Sequence, residues 1–210
     1  MSKIIAIMLL LCCGMMLFGC ADDNGRRKAE QQKTIVVTDS VGRKVELPYP
    51  LERVAVCNVY NAELITAVGA IDKIVGVDNY IFKDQSGFKN RFNEAQVFGI
   101  SQNAMNYEKL AELAPQAVII TGEGTWRDAQ EMLDRFGIKV IVINSYYTDQ
   151  FADNCRLIGR IFGREEQAEE LVNYFNDKLA YIQKQLQGVP RRSLYFEYRT
   201  LGKTAVPGDY

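Results

Sequence analysis

The stretch VAVCNVYNAELITAVGAIDKIVGV, residues 54–77, decides the fold. It begins with a short β-branched run, continues through a helical pattern from Ala62 to Val68, and ends in a second apolar run at Ile74–Val77. Runs without polar alternation are typical of strands that are buried on both faces of a sheet. A strand, a helix and another strand in so short a span predict one parallel βα unit.

The same alternation continues to residue 162. Apolar runs start 20 to 23 residues apart, at Val54–Val56, Ile74–Val77, Val97–Phe98, Ala117–Ile120 and Val140–Ile143. Helical patterns cover Ala62–Val68, Tyr107–Leu113, Arg127–Phe136 and Phe151–Phe162. Only residues 78–96 show no clear period. The pattern predicts an α/β fold in which residues 34–163 form a lobe around a parallel, Rossmann-like sheet.

Two further elements flank this alternating region. A hairpin is predicted from Thr34–Thr38 and Lys44–Leu47, with a turn between them. Beyond Gly163, apolar residues follow steps of three and four from Ala168 to Leu186. They predict a helix of about 23 residues within 164–188, roughly 35 Å long. This helix is better interpreted as a rigid strut than as part of a coiled coil, because its stripe of apolar residues lasts barely three heptads. Ser193–Tyr198 then reads as a further strand.

The composition excludes several classes of function. The chain has 210 residues, and 25 basic against 26 acidic residues leave a formal charge of -1. No uniform field is therefore available for binding nucleic-acid phosphates. The chain has no histidine, which removes histidine-dependent triads and disfavours a bare zinc or manganese site. We expect no catalytic residues, no metal site and no cofactor.

Three local motifs look functional but are weak. Gly122 and Gly124 follow a predicted strand, yet Arg127 stands where a dinucleotide fingerprint needs its third glycine. Cys57 could be a nucleophile, a metal ligand or a strand-core residue, and the absence of histidine favours the core. Cys57 and Cys155 could also form a disulfide in an oxidising compartment, but two buried free thiols are the preferred interpretation.

The N-terminus has the features of an export signal. Ile4–Phe18 is an apolar run of 15 residues, a length typical of a secretory signal. The following Gly19-Cys20 resembles the bacterial lipoprotein signal, which implies a signal peptide at 1–19 and lipidation of Cys20. Residues 20–33 are polar and read as a flexible tether. An uncleaved membrane anchor stays open as an alternative, because basic residues at 26–28 follow the run. We expect a protein exported to the cell envelope and anchored to the membrane by lipid.

Several stretches together carry a family resemblance. They are TIVVTDSVGRKVELP, PLERVAVCNVYNAELITAVGAIDKIVGV, MNYEKLAELAPQAVII, EMLDRFGIKVIVI, GREEQAEELVNYFNDKLAYIQ and PRRSLYFEY. In order and spacing they resemble the bacterial solute-binding proteins of ATP-driven (ABC) importers for iron siderophores, haem and cobalamin. The resemblance implies two α/β lobes joined by one long helix, and partnership with a membrane permease and its ATPase. Residues 189–210 match only the first strand and loop of the second lobe, so we expect a chain truncated relative to this family.

Ligand contacts are expected beyond the carboxyl ends of the parallel strands. The candidates are Asn58, Tyr60, Tyr80, Trp126, Tyr146 and Tyr147. Aromatic rings with polar tips can cover a flat chelate and still donate hydrogen bonds, although each of these residues alone could be an ordinary half-buried aromatic. At the start of the second lobe, Arg199 could pair with an anionic chelate, or be a solvated surface cation.

Glu108 follows Asn106 in an asparagine-any-glutamate motif. The resemblance implies that this glutamate forms a salt bridge to an arginine of the permease and so docks the protein. The alternative is a glutamate placed in a first helical turn by the helix dipole alone.

The expected function is therefore capture of an iron chelate or cobalamin and its delivery to a permease, without chemistry on the ligand. Two alternatives remain open at this point. A nucleotide-dependent α/β enzyme would need a glycine-rich loop where Cys57-Asn58-Val59-Tyr60 stands. A truncated fragment or envelope accessory protein that no longer binds solute is the other.

Overall fold

The computed structural model describes residues 33–190 and 192–193. A hairpin of two strands, β1 (Thr34–Thr38) and β2 (Lys44–Pro48), comes first in the chain. The centre of the lobe is a parallel sheet of five strands: β3 (Val54–Val56), β4 (Ile74–Asp78), β5 (Val97–Gly99), β6 (Ala117–Ile120) and β7 (Lys139–Val142). Their order across the sheet is β5-β4-β3-β6-β7. The chain builds outward from β3 in one direction and then in the other, so the strand order reverses between β3 and β6. The predicted parallel α/β architecture is confirmed.

Helices connect these strands and continue the chain beyond them. They are α1 (Val59–Ala67), α2 (Asn79–Lys83), α3 (Tyr107–Glu112), α4 (Trp126–Asp134), α5 (Phe151–Phe162) and α6 (Glu165–Gln185). The sequence missed α2, which lies inside the segment without a clear period. It also placed the start of α1 three residues late, because the side chain of Asn58 caps that helix by accepting from the Tyr60 N–H.

Both faces of the sheet are covered. On one face Val54, Val56 and Ile119 pack against α1, α5 and the hairpin. On the other face Ala55 and Val118 pack against α3 and α4. Side chains of successive strand residues point to opposite faces, so uninterrupted apolar runs are what a sheet covered on both sides requires.

The hairpin of β1 (Thr34–Thr38) and β2 (Lys44–Pro48) is attached to the edge of the sheet. The Ser40 N–H donates to the Val142 carbonyl at 2.9 Å, and the Val142 N–H donates to the buried Asp39 carboxylate at 3.3 Å. The Arg43 guanidinium donates to the same carboxylate at 2.6 Å and to the Val140 carbonyl at 3.1 Å. The turn therefore satisfies backbone groups that edge strand β7 would otherwise leave unpaired.

The long helix α6 has 21 residues, close to the predicted length. Its first half packs on the lobe through buried Ala168 and Val172, and the ring of Phe175 stacks on that of Phe151 at 4.1 Å. In its second half the same stripe is exposed, with Leu179 at 42% and Ile182 at 50%. No helix in the described part of the chain is long and apolar enough to cross a membrane. The proposed signal segment, Cys20, most of the tether and nearly all of the strand predicted at Ser193–Tyr198 lie outside the described residues.

Close contact between α5 and α6 depends on Gly159. A Cβ atom at this position would lie 2.5 Å from the Ala168 Cβ and 2.9 Å from the Arg164 carbonyl oxygen. The Arg164 oxygen belongs to the backbone, and the Ala168 side chain is a single methyl group, so neither can rotate away. The second helix can therefore cross the first only where the first has no side chain.

We predict that Gly159→Ala destabilises the lobe by about 2 kcal/mol, because the new methyl group must push the two helices apart. Alanine normally stabilises a helix interior by about 1 kcal/mol relative to glycine, so the predicted sign is the reverse of the usual one. Urea unfolding followed by circular dichroism measures the change.

The neighbouring exposed position supplies the matched control. At Arg160 the alanine variant should be more stable than the glycine variant by the usual amount, because Arg160 is exposed. If Gly159→Ala raised the free energy of unfolding as much as alanine does over glycine at position 160, the close helix contact would not exist in solution.

Candidate functional site

One large pocket opens at the carboxyl ends of β3, β4, β5 and β6, next to the reversal of strand order. Its volume is about 820 Å³, within the range of small-molecule sites. The pocket is lined by Asn58, Val59, Tyr60, Asp78, Tyr80, Ser101, Gln102, Asn103, Thr121 and Glu123. Parallel sheets of this kind bind ligands in the crevice at such a reversal, and this pocket lies there.

Asp78 joins the ends of two neighbouring strands at the base of the pocket. Its carboxylate accepts from the Asn58 N–H and from the Ile81 N–H, each at 3.0 Å, and the residue is 2% exposed. Burial raises the pKa of this carboxyl, and the backbone N–H donors that it binds oppose the rise. Asp78 therefore both caps α2 and fixes the chain that leaves β3.

The backbone of Asn58 is strained. Its φ of 77° and ψ of 126° lie where residues other than glycine are rarely found. The conformation is held from both sides, since the Asn58 N–H donates to Asp78 while its side-chain oxygen accepts from the Tyr60 N–H at 2.9 Å. Strain that is maintained in this way is characteristic of binding and catalytic sites.

Amide side chains connect the loops that form one wall of the pocket. The Gln102 side-chain oxygen accepts from the Thr121 N–H at 3.0 Å and from its hydroxyl at 2.8 Å, and its amide nitrogen donates to the Glu123 carbonyl. From the far side, the Asn144 side-chain oxygen accepts from the Gly122 N–H at 2.7 Å. These contacts fix the loop after β6 between the loops after β5 and β7.

The two glycines of this loop have a structural role. A Cβ atom at Gly124, whose φ is +81°, would lie 2.4 Å from the Asn103 side-chain oxygen. A Cβ atom at Gly122 would lie 3.1 Å from the Asn144 side-chain oxygen. The Gly-Glu-Gly motif therefore permits close approach of neighbouring amides. This role accounts for both glycines without a dinucleotide site.

The structure brings together three of the candidates from the sequence in this pocket. Asn58 lies at its base, and Tyr60 and Tyr80 stand at its mouth with 53% and 63% of their surface exposed. The Tyr146 hydroxyl donates to the Glu123 carboxylate at 3.0 Å, and its ring lies 4.4 Å from that of Tyr147. These last two tyrosines therefore border the pocket through Glu123 and do not line it.

Trp126 is not brought to this pocket. It is 9% exposed and belongs to the core layer on the α3 and α4 face of the sheet. The guanidinium groups of Arg43 and Arg127 lie 4.2 and 4.1 Å from its ring centroid, so they cover the ring. Arg199 lies outside the described residues.

Sequence reasoning missed the segment Ser101-Gln102-Asn103. These residues follow β5 and line the pocket with two amides and a hydroxyl. The same rule that selected Asn58 and Tyr80, that ligands meet the carboxyl ends of parallel strands, would have found them if it had been applied to the strand at Val97–Phe98.

Glu108 lies apart from the lining residues. It is exposed in the first turn of α3, and Asn106 caps that turn by accepting from the Lys109 N–H at 3.0 Å. The cap is therefore supplied by Asn106, and the Glu108 carboxylate is not needed for it.

The two cysteines of the described residues are not placed for chemistry. Cys57 and Cys155 are buried free thiols, as expected. Burial, together with the nearby Asp78 charge, raises the pKa of the Cys57 thiol, and burial raises that of Cys155 to about 12. Thiols in this state are poor nucleophiles. Within residues 33–190 and 192–193, no group of three histidine, cysteine or acidic side chains could hold a metal ion.

No curated protein sequence matches the chain. A solved periplasmic solute-binding protein from Veillonella parvula is 27% identical with a TM-score of 0.61, over 75% of this chain and 50% of its own. SirA of Staphylococcus aureus, complexed with staphyloferrin B, is 20% identical with a TM-score of 0.60, over 73% and 51%. MolA of Haemophilus influenzae, bound to molybdate, is 23% identical with a TM-score of 0.63, over 74% and 55%.

The chain thus spans about half the length of these structures. The family model described as periplasmic binding protein matches residues 54–210, which is well over half of the chain. This family and the structural neighbours are extracytoplasmic solute-binding proteins and not enzymes. With the parallel lobe and its strand-end pocket, these matches show that the chain belongs to the periplasmic binding protein family.

Proposed function

We propose that the chain is the extracytoplasmic receptor of an ABC importer, and that it captures an iron chelate (a siderophore or haem) or cobalamin. The observation that carries this proposal is the pocket of about 820 Å³ at the strand ends, with two exposed tyrosine rings at its mouth and amides along its wall. Aromatic surface with hydrogen-bonding tips suits a large ligand that is partly apolar and partly polar.

The ligands named for similar structures support a chelate. They include staphyloferrin B, petrobactin, haem and vitamin B12, and one structure holds molybdate. A pocket of this size is much larger than a bare oxyanion such as molybdate requires. Among the described residues its lining also contains no lysine or arginine, the side chains that form the strongest hydrogen bonds to a small oxyanion.

The domain organisation proposed from the sequence fits this role. Residues 34–163 form the ligand-binding lobe, and 164–188 form the linking helix against which a second lobe beginning at 189–210 would close. Leu179 and Ile182 leave the far half of α6 apolar and exposed, as a helix shared between two lobes requires. Closure over the ligand would shift the population of open and closed forms, and docking on the permease would then release the ligand.

Attachment to the membrane belongs to the same proposal. A signal peptide at 1–19, lipidation at Cys20 and a tether at 20–33 would hold the receptor near its permease. Tethering raises the local concentration of receptor around the transporter without any new contact. Arg199, at the start of the second lobe, is retained as a candidate ligand contact.

The test is a titration of the full chain, purified in mild detergent, with ferric siderophores, haem and cobalamin, followed by intrinsic fluorescence. We expect saturable quenching with at least one chelate. Tyr60→Ala and Tyr80→Ala should each weaken that binding about fivefold or more, since an aromatic contact contributes about 1 kcal/mol beyond its buried area.

Tyr174 supplies the matched control for these two variants. It is 61% exposed on α6, as accessible as Tyr60 and Tyr80, but it lies outside the pocket. Tyr174→Ala should leave the dissociation constant unchanged. Flat titrations with all three classes of chelate, or equal losses in all three variants, would contradict the proposed receptor.

Docking on the permease is proposed to involve Glu108. Its exposed carboxylate, which α3 does not need for capping, is free to pair with a cation on the permease. We expect Glu108→Gln to weaken the stimulation of ATP hydrolysis by the cognate transporter in proteoliposomes about tenfold in apparent affinity, with chelate binding unchanged.

Glu112, also exposed and one turn further along α3, is the control for Glu108. Glu112→Gln changes the net charge equally and should leave the stimulation as it is. Equal effects of the two variants would mean that the transporter senses net charge alone, and the docking role of Glu108 would be withdrawn.

A further inference from the structure

The pocket presents charge of one sign to its ligand. Among the described lining residues Asp78 and Glu123 are acidic, and none is lysine or arginine. Both oxygens of the Asp78 carboxylate accept backbone N–H groups, and the residue is 2% exposed, so its charge serves the strand ends. Glu123 is exposed and is therefore the charge that a ligand in this lobe meets.

Glu123 is held in place from two directions. The Gln102 amide donates to its backbone carbonyl, and the Tyr146 hydroxyl donates to its Oε1 at 3.0 Å. Burial, with the neighbouring Tyr147 and Glu123, raises the pKa of Tyr146, so this residue stays a hydroxyl donor at neutral pH. A carboxylate that is already oriented loses less side-chain entropy when a ligand binds it.

The second oxygen of Glu123 is open to a cation from the ligand. Within the described residues no lysine or arginine forms an ion pair with this carboxylate. Arg127, four residues along the chain, instead has its guanidinium over the Trp126 ring at 4.1 Å. A ligand carrying several negative charges would thus meet a like charge that no described lysine or arginine neutralises, which costs affinity.

We infer, on the basis of the proposed function, that this lobe selects a neutral or cationic chelate over a polyanionic one. Glu123 is the specificity-determining residue, and its Oε2 accepts from an ammonium or N–H group of the ligand. Tyr60 and Tyr80 provide the aromatic surface for the chelate, whereas Glu123 sets the charge that the chelate is allowed to carry.

The experiment measures how a single substitution changes affinity as a function of ligand charge. The full chain and its Glu123→Gln variant are titrated with ferrioxamine B, which carries a free ammonium group, with its neutral N-acetyl derivative, with cyanocobalamin, and with a polyanionic ferric tris-catecholate. Glu123→Gln should weaken binding of the cationic chelate about fivefold, the upper end of what an exposed ion pair contributes. It should leave neutral chelates within about twofold and strengthen binding of the polyanion.

Glu131→Gln is the control, because Glu131 is exposed on α4 outside the pocket and its loss changes the net charge equally. In Glu131→Gln the affinities for cationic, neutral and anionic chelates should match those of the wild type. The preference of the wild type for the cationic chelate should shrink at high salt. The inference is overturned if the wild type binds the polyanion most tightly, or if Glu123→Gln changes every affinity by the same factor. In those cases the receptor role survives, whereas the absence of binding by any chelate would end both proposals.

Discussion

The buried carboxylate of Asp78 is the constraint on which the site depends. Through one oxygen it holds the chain leaving β3 at the Asn58 N–H, and through the other it caps α2 at Ile81. Without this bridge the strained Asn58 backbone would relax, and the strand ends that carry Tyr60 and Tyr80 would lose their fixed separation. Burial makes this charge costly and raises the pKa of the carboxyl, and the hydrogen bonds that it accepts from backbone N–H groups offset part of that cost.

The architecture follows from residue patterns that carry strong physical meaning. Apolar runs such as Ala117–Ile120 suit strands that are covered on both faces of a sheet. The 20 to 23 residues between the starts of these runs leave room for a connecting helix, which parallel strands require. Helix α2 could not be predicted in the same way. It has five residues, too few for an apolar period, and it forms because Asp78 caps it and tertiary contacts bury Ile81.

The sequence predicts the candidate site only through the rule that ligands bind beyond the carboxyl ends of parallel strands. The rule selected Asn58, Tyr60 and Tyr80, which line one pocket, and applied to β5 it would also have reached Gln102. Trp126 was misplaced because α4 begins at that residue. Trp126, Ala129 and Leu133 follow helical spacing on the buried face, so the indole turns toward the core and away from the rim. The orientation of Glu123 depends on contacts with Tyr146 and Gln102, distant in sequence, which no local pattern reveals.

Hydrogen–deuterium exchange of the full chain, with and without a chelate that quenches its fluorescence, tests the central claim most directly. A ligand seated at the strand ends should slow exchange in peptides that contain residues 58–60, 78–80, 101–103 and 121–123, and should leave exchange in α4 unchanged. Saturable binding with protection confined to other peptides, or with no protection at these four strand ends, would contradict the account.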